Sequence, residues 1–322
     1  MKVVSAQTQA ALEMMALSPA QAVGTREISE IRSELKAIAI AGRVPGPRPD
    51  GVSVSEQTLS AGVVVRLYKP PATAGAQPPV VFVHGGGWAL CDIDTHHELA
   101  CQLCSDTGCL VASVDYRLAP EHGYPVPLHD CILAARWLAE AAASLGCSPG
   151  GIVVAGDSSG GNLAAALALA AAADPTVPRV LLQVLIYPVL DCNFSTPSYQ
   201  AFGDGRFGLS TRQMQWYWDA YAPGQERHEP LASPGRASQL TGVAPAFIGV
   251  GEFDPLRDEA RAYATALAAA GVPVELHDYA GGFHGFYSFR GVLDIASDAA
   301  ADVARAIHAA AASLSGKDGQ PE

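Results

Sequence analysis

The residues of this chain that could do covalent chemistry gather around one serine. Ser158 lies in Gly156-Asp157-Ser158-Ser159-Gly160-Gly161, a G-x-S-x-G arrangement. The stretch before it, 151–155, is short, apolar and rich in β-branched residues, the pattern of a buried strand. From Asn162 the composition turns to Leu and Ala, which favours helix. Strand, tight turn and helix with the serine at the apex is the context this motif requires. Outside that context the same glycines would mark an ordinary turn. The bend brings residues two before and two after the serine nearly into contact, and glycine permits that because it has no Cβ. The hydroxyl is thereby exposed, and the free N–H groups at the helix start face any negative charge that develops beside it.

A serine hydroxyl is a weak nucleophile and needs a base to take its proton; the base needs a third group to fix its tautomer. Of nine histidines, His284 in Gly281-Gly282-Phe283-His284-Gly285-Phe286 comes just after the last predicted strand. That places it at the sheet edge where Ser158 sits. His277 falls within that strand, and His96, His97, His122, His129, His228 and His308 read as ordinary polar residues. Asp254, in Gly251-Glu252-Phe253-Asp254-Pro255-Leu256-Arg257-Asp258, directly follows another strand and is the preferred acid, ahead of Glu252 and Asp258. Asp before Pro is also a good helix N-cap. The two roles are compatible, because capping does not consume both carboxylate oxygens. Attack on a carbonyl creates an oxyanion, which needs preorganised N–H donors. His84-Gly85-Gly86-Gly87 ends a strand at the same edge. The N–H groups of Gly85 and Gly86 can point inward there, and the amide of Ser159 supplies a third donor. No metal is expected. His96-His97-Glu98 lacks the H-E-x-x-H spacing, and Cys101-x-x-Cys104 has no second pair and sits in a helical pattern.

These groups are far apart in sequence, so a scaffold has to gather them. Residues 5–42 read as two amphipathic helices, with Ile28, Ile31, Leu35 and Ile38 at helical spacing. A Pro/Gly cluster at 45–49 ends that section. Strands are predicted at 62–68, 79–83, 109–116, 180–187, 245–251 and 274–279, besides the one before Ser158. Helices are predicted from a Thr95–Glu98 capping box to about 106, over 127–145, after Pro255, and in an Ala-rich stretch closing the chain. Nearly continuous apolar strands alternating with helices imply an α/β fold: a mostly parallel central sheet with helices on both faces. The alternation is interrupted at 190–235. That insertion holds a Ser210–Gln213 capping box, a Leu209/Met214 staple and an aromatic helix with Trp216, Tyr217, Trp218 and Tyr221. It reads as a lid over the strands' C-terminal ends, where open α/β sheets bind ligands. With 322 residues, no linker and no repeat, the chain reads as one domain whose cap is formed by about 1–45 and 190–235.

Composition narrows the partners. The formal net charge is −12, so nucleic acid and anionic membrane surfaces are disfavoured. Seven cysteines, an odd number in a chain with a large core, point to free thiols in a reducing compartment, hence the cytoplasm. The first 22 residues carry Gln7, Gln9 and Glu13 through their centre and do not read as a signal peptide. The longest apolar run, 163–173, is too short to span a bilayer.

The chain resembles the hormone-sensitive-lipase-like family of α/β-hydrolases, in its bacterial carboxylesterase branch. The stretches that carry the resemblance are HGGGW at 84–88, DYRLAPEH at 115–122, GDSSGGNLAAA at 156–166, YPVLD at 187–191, DPLRDE at 254–259 and FHGF at 283–286. The order Ser158, Asp254, His284 is also the nucleophile–acid–histidine order of the α/β-hydrolase arrangement. The resemblance implies an α/β-hydrolase fold with a helical cap, a Ser158–Asp254–His284 triad, an oxyanion hole from Gly85, Gly86 and Ser159, and no cofactor. The implied substrates are small-molecule esters with short- to medium-chain acyl groups. One departure is Ser159, where many members carry Ala; the backbone N–H is the serving group, so the role is unaffected. Arg117, Glu121 and Asp157 read as scaffolding beside the site. Trp88, Tyr187, Phe207, Leu209, Trp216 and Phe286 are candidates for the pocket wall. The same triad would serve an amide, lactone or carbamate hydrolase. A non-catalytic ligand-binding receptor on this fold would have lost the histidine, which is present here. The resemblance also leaves room for a homodimer through the last strand or the terminal helix.

Overall fold

In a computed structural model, residues 4–43, 51–71 and 76–315 are described. The Pro/Gly cluster expected at 45–49 lies outside them. The chain opens with helices α1 (Ala6–Ala16) and α2 (Ile28–Ala41), joined by a short 3-10 turn at Pro19–Ala22. Strands β1 (Ser53–Thr58), β2 (Val64–Lys69) and β3 (Val80–Val83) follow, then α3 (His97–Thr107) and β4 (Val111–Asp115). Helix α4 (Val126–Leu145), β5 (Ile152–Asp157), α5 (Ser159–Ala173) and β6 (Val180–Ile186) complete the central part. The insertion contributes α6 (Pro197–Phe202) and α7 (Thr211–Tyr221), before β7 (Ala246–Phe253), α8 (Arg257–Ala269), β8 (Val274–Phe283) and α9 (Asp294–Ser315).

Among the described residues the strands form one eight-stranded sheet, ordered β1-β2-β4-β3-β5-β6-β7-β8. β1 and β2 run antiparallel to their neighbours; the pairings from β4 to β8 are parallel. Strand alternation splits the core between the two faces. Val81, Val83 and Leu185 pack with α4, α5 and α8, whereas Val80, Phe82 and Val184 pack with α3 and α9. A mostly parallel sheet covered on both sides is the architecture the apolar strand runs predicted.

Three details differ from the sequence reading. Strand β1 (Ser53–Thr58) is not among the predicted strands, because all six residues are exposed and carry no apolar alternation; its backbone pairing with β2 alone defines it. The Thr95 capping box does not form. The helix starts at His97, and the Thr95 N–H and hydroxyl are both bonded to Asp92, whose carboxylate also takes the Asp94 N–H. Strand β8 runs on to Phe283, four residues past the expected end, and delivers His284 directly from the sheet edge.

Candidate active site

The sharp turn between β5 and α5 follows from close packing. A Cβ on Gly160 would lie 2.0 Å from the Val83 carbonyl oxygen, and one on Gly156 would lie 2.3 Å from the Gly160 carbonyl oxygen. Only glycine fits at either position. Between them Ser158 holds φ 55° and ψ −119°, a conformation that costs a non-glycine residue roughly 1–3 kcal/mol. The surroundings hold it there: its N–H donates to the Ile186 carbonyl at 2.8 Å, and its carbonyl accepts from Val189 at 3.1 Å.

The Ser158 Oγ stands 3.0 Å from His284 Nε2, and His284 Nδ1 stands 2.9 Å from Asp254 Oδ2. Asp254 is fully buried. Its other oxygen, Oδ1, accepts the Leu256 N–H at 2.8 Å, so the carboxylate orients the imidazole and closes the turn before α8; the expected N-cap role falls to Leu256 instead. Asp258 accepts from Ser198 N–H and Glu252 from Gly281 N–H, both away from the imidazole. Three groups 30 to 126 residues apart are within hydrogen-bond reach.

The glycine loop 84–88 corrects one expectation. The Gly85 N–H is already spent: it donates to Asp157 Oδ1 at 2.9 Å, so it is not a free donor toward the cavity. Gly86 and Gly87 border the cavity above Ser158, and Gly85 does not. Among the described residues the amides of Gly86, Gly87 and Ser159 have no acceptor. Asp157 therefore shapes the loop. Burial works against its charge, but His96 at 3.4 Å and the Gly85 amide outweigh that and hold its carboxyl below the ordinary range. His84 packs against Tyr116, and burial pushes its ring down to about 4, so it is neutral. His96, which the sequence presents as an ordinary polar residue, thus lines the cavity at Ser158.

Arg117 bonds Asp130 through two nitrogens, at 2.9 and 2.6 Å, and its N–H bonds the same carboxylate. Glu121 takes both terminal nitrogens of Arg32 from α2. Both are scaffolding, as the sequence implied.

Above Ser158 lies a cavity of about 260 Å³. Of the six expected wall residues, Tyr187 and Leu209 border it. Phe207 borders a neighbouring cavity instead. Trp88 is fully buried, stacked 4.2 Å from Tyr221, with its indole N–H donated to Asn162. Trp216 packs on Gly24 of the N-terminal segment. Phe286 is buried edge-on to Tyr187 at 5.6 Å and supports that ring from behind. The roof is made by residues outside the six expected for the wall: Met15, Gln21 and Leu35 from the N-terminal segment, and Gln213, Met214 and Tyr217 from the insertion. A signal for the second group exists. Gln213 and Tyr217 are four residues apart and so share one face of α7, with Leu209 just before its N-cap, while Trp216 packs on Gly24 and Trp218 on Trp88. The Ser210–Gln213 capping box forms as expected and fixes the start of that face.

A family model described as "alpha/beta hydrolase fold" matches residues 80–288. The carboxylesterase NlhH of Mycobacterium tuberculosis is 41% identical over 256 residues, covering 77% of this chain and 79% of that protein. The ethyl acetate hydrolase of Pseudomonas putida is 37% identical over 292 residues, covering 87% and 90%. Among solved structures, a hyperthermophilic esterase from the archaeon Pyrobaculum calidifontis superposes with a TM-score of 0.83 at 33% identity, covering 94% of this chain and 97% of that one.

Proposed function

The chain belongs to the α/β-hydrolase fold family, in its hormone-sensitive-lipase-like branch, and from that membership we propose a serine carboxylesterase that cleaves short- to medium-chain acyl esters through an acyl-enzyme. The observation that carries the reading is the relay Ser158 Oγ–His284 Nε2–Asp254, at 3.0 and 2.9 Å. The cavity of about 260 Å³ suits a small ester, and a relative named for ethyl acetate hydrolysis supports short acyl groups.

In this mechanism Ser158 attacks the ester carbonyl while His284 Nε2 takes the hydroxyl proton. Asp254 stabilises the imidazolium that results. The carbonyl oxygen becomes an oxyanion facing the amides of Gly86 and Ser159, with Gly87 in place of Gly85 as the third donor. Collapse of the tetrahedral intermediate breaks the C–O bond, and the same proton leaves on the alcohol. Water then enters; His284 takes its proton, and the second intermediate releases the acid and restores Ser158. Residues up to about 45 and 190–235 act as the cap over this site.

Turnover of p-nitrophenyl esters of graded acyl length is expected to peak at short chains. Ser158→Ala should lose on the order of 10⁵- to 10⁶-fold in kcat. Undiminished turnover in that variant would end the triad assignment.

All seven cysteines are free, which supports work in a reducing compartment such as the cytoplasm. Among the described residues no helix is long and apolar enough to cross a membrane. A homodimer through β8 or α9 belongs to the same proposal and is read from sedimentation equilibrium.

A further inference from the structure

Two cavities take part of their walls from neighbouring residues of α1. The first is the substrate cavity of about 260 Å³, with Met15 in its wall. The second holds about 540 Å³ and is lined by Leu12, Glu13 and Ala16 of the same helix together with Phe202, Phe207 and Phe253. Adjacent residues divide between them: Met15 and Gly208 border the first, Ala16 and Phe207 the second. The first alone falls below the roughly 300–1,000 Å³ of a usual small-molecule site, and the pair falls within it.

The second cavity is mostly apolar. Phe207 stacks on Phe253 at 4.8 Å and meets Phe202 edge-on at 5.7 Å. Arg206 and Arg257 lie over Phe207 and Phe202, both at 5.2 Å from the ring centres, with their nitrogens bonded to neighbouring carboxylates and carbonyls. A hydrocarbon chain gains most from such walls, because it removes apolar surface from water and asks for no hydrogen bonds.

Met15 packs against two glycines that leave room for its side chain. A Cβ on Gly208 would lie 2.0 Å from its Sδ, and one on Gly285 would lie 2.7 Å from its Cε. Gly285 is the residue after His284, which hands the proton to the leaving alcohol. Met15 therefore packs beside the residue next to the imidazole that would serve the alcohol. Methionine is unbranched with three rotatable side-chain bonds, so it can swing aside at low cost.

We propose that the second cavity receives the alkyl chain of the leaving alcohol, and that Met15 is the specificity-determining partition that sets how long an alcohol is accepted. This rests on the serine-esterase reading and adds to it the alcohol side of the substrate.

The test is a pair of chain-length series on the full-length enzyme. One varies the alcohol (ethyl, butyl and octyl acetate); the other varies the acyl group (p-nitrophenyl acetate, butyrate and octanoate). In Met15→Ala the octyl-to-ethyl ratio of kcat/KM should rise about 10-fold or more, while the octanoate-to-acetate ratio stays within about 3-fold. Adding Leu12→Trp, which fills the second cavity, should cancel that rise. Each ratio is internal to one preparation, so partial unfolding does not imitate the shift. An unmoved octyl-to-ethyl ratio, a gain confined to the acyl series, or a gain that survives Leu12→Trp would each overturn the proposal. Failure of the esterase reading shows separately, as p-nitrophenyl butyrate turnover indifferent to Ser158→Ala.

Discussion

The floor of the cavity over Ser158 and its roof are built by different means. The floor is held by backbone: the Gly160–Val83 approach, the strained Ser158, the strand end that delivers His284 and the buried Asp254. The roof is held by side chains laid over it. Helix α2 and the turn after it are tied by side chains: Arg32 bonds the Ala89 and Ala119 carbonyls and Glu121, Lys36 pairs with Asp92 and Asp94, and Arg43, just past the helix, with Asp94. Helix α1 has fewer ties, Thr8 to the Gly281 carbonyl and Gln7 to Asp294 among them. The proposed chemistry thus rests on elements that tolerate almost no change, and the proposed selectivity on elements that can be altered singly.

The sharpest way to break this contrast is in the floor, at Asp157. Replacing it with Leu, of similar shape, strands the Gly85 amide in a buried site and frees the loop that aims Gly86 and Gly87. Loss of one oxyanion donor costs roughly 10²- to 10³-fold. We expect Asp157→Leu to lower kcat on p-nitrophenyl butyrate by about 100-fold with KM little changed, whereas Asp157→Asn, which keeps an acceptor, should stay within about 10-fold of wild type. Equal losses in the two variants would mean that charge, rather than the acceptor for Gly85, shapes the loop.

In the roof, Arg32 joins three pieces at once, donating to the carbonyls of Ala89 and Ala119 and to Glu121. Because the Glu121 side chain is 53% exposed, the ion pair itself contributes little, and the carbonyl bonds matter more. Arg32→Ala should cost about 1 kcal/mol of stability and raise KM about 3- to 5-fold, with kcat within about 2-fold. A fall in kcat as large as that of Asp157→Leu would erase the distinction between floor and roof.

The same division explains what the sequence disclosed. The nucleophile turn, the two strand-end residues and the glycine loop were legible because each depends on residue type at fixed local spacing: glycine where a Cβ would collide, Asp and His one step past a strand. Gly85 was misread because its amide is claimed by Asp157, 72 residues away, and no local pattern reports that. The pocket wall was legible only in part. Trp216, Tyr217 and Trp218 are consecutive aromatics, and residues one apart on a helix diverge by about 100°, so one of the three faces the cavity. Which one depends on how α7 is docked, a tertiary fact. Likewise Leu35 of the α2 stripe reaches the cavity while Ile38, on the same stripe, is 60% exposed.

The smallest expected effect lies where floor becomes roof. The chain leaves β6 through Leu190 and Asp191, whose N–H groups both donate to Glu259 Oε1 on α8, at 2.7 and 3.4 Å. Glu259 is buried, and burial pushes its carboxyl well above the usual range, with the charges of Asp191 and Asp254 adding to the rise and the two N–H bonds opposing it. A carboxyl with a raised folded-state pKa contributes stability that is full below its unfolded value of about 4.3 and drains away as pH rises toward the folded value. The wild-type melting temperature should therefore carry a downward slope from about pH 5 upward to which this one residue contributes. Glu259→Gln keeps an oxygen for the two N–H groups and removes the titration. Its melting temperature should change little near pH 5 and exceed the wild-type value at pH 8, with kcat/KM almost unaltered. If the slope persists undiminished in Glu259→Gln, the junction is insensitive to this proton; if kcat/KM falls with it, the floor depends on the junction, and the two regions are less separable than their construction implies.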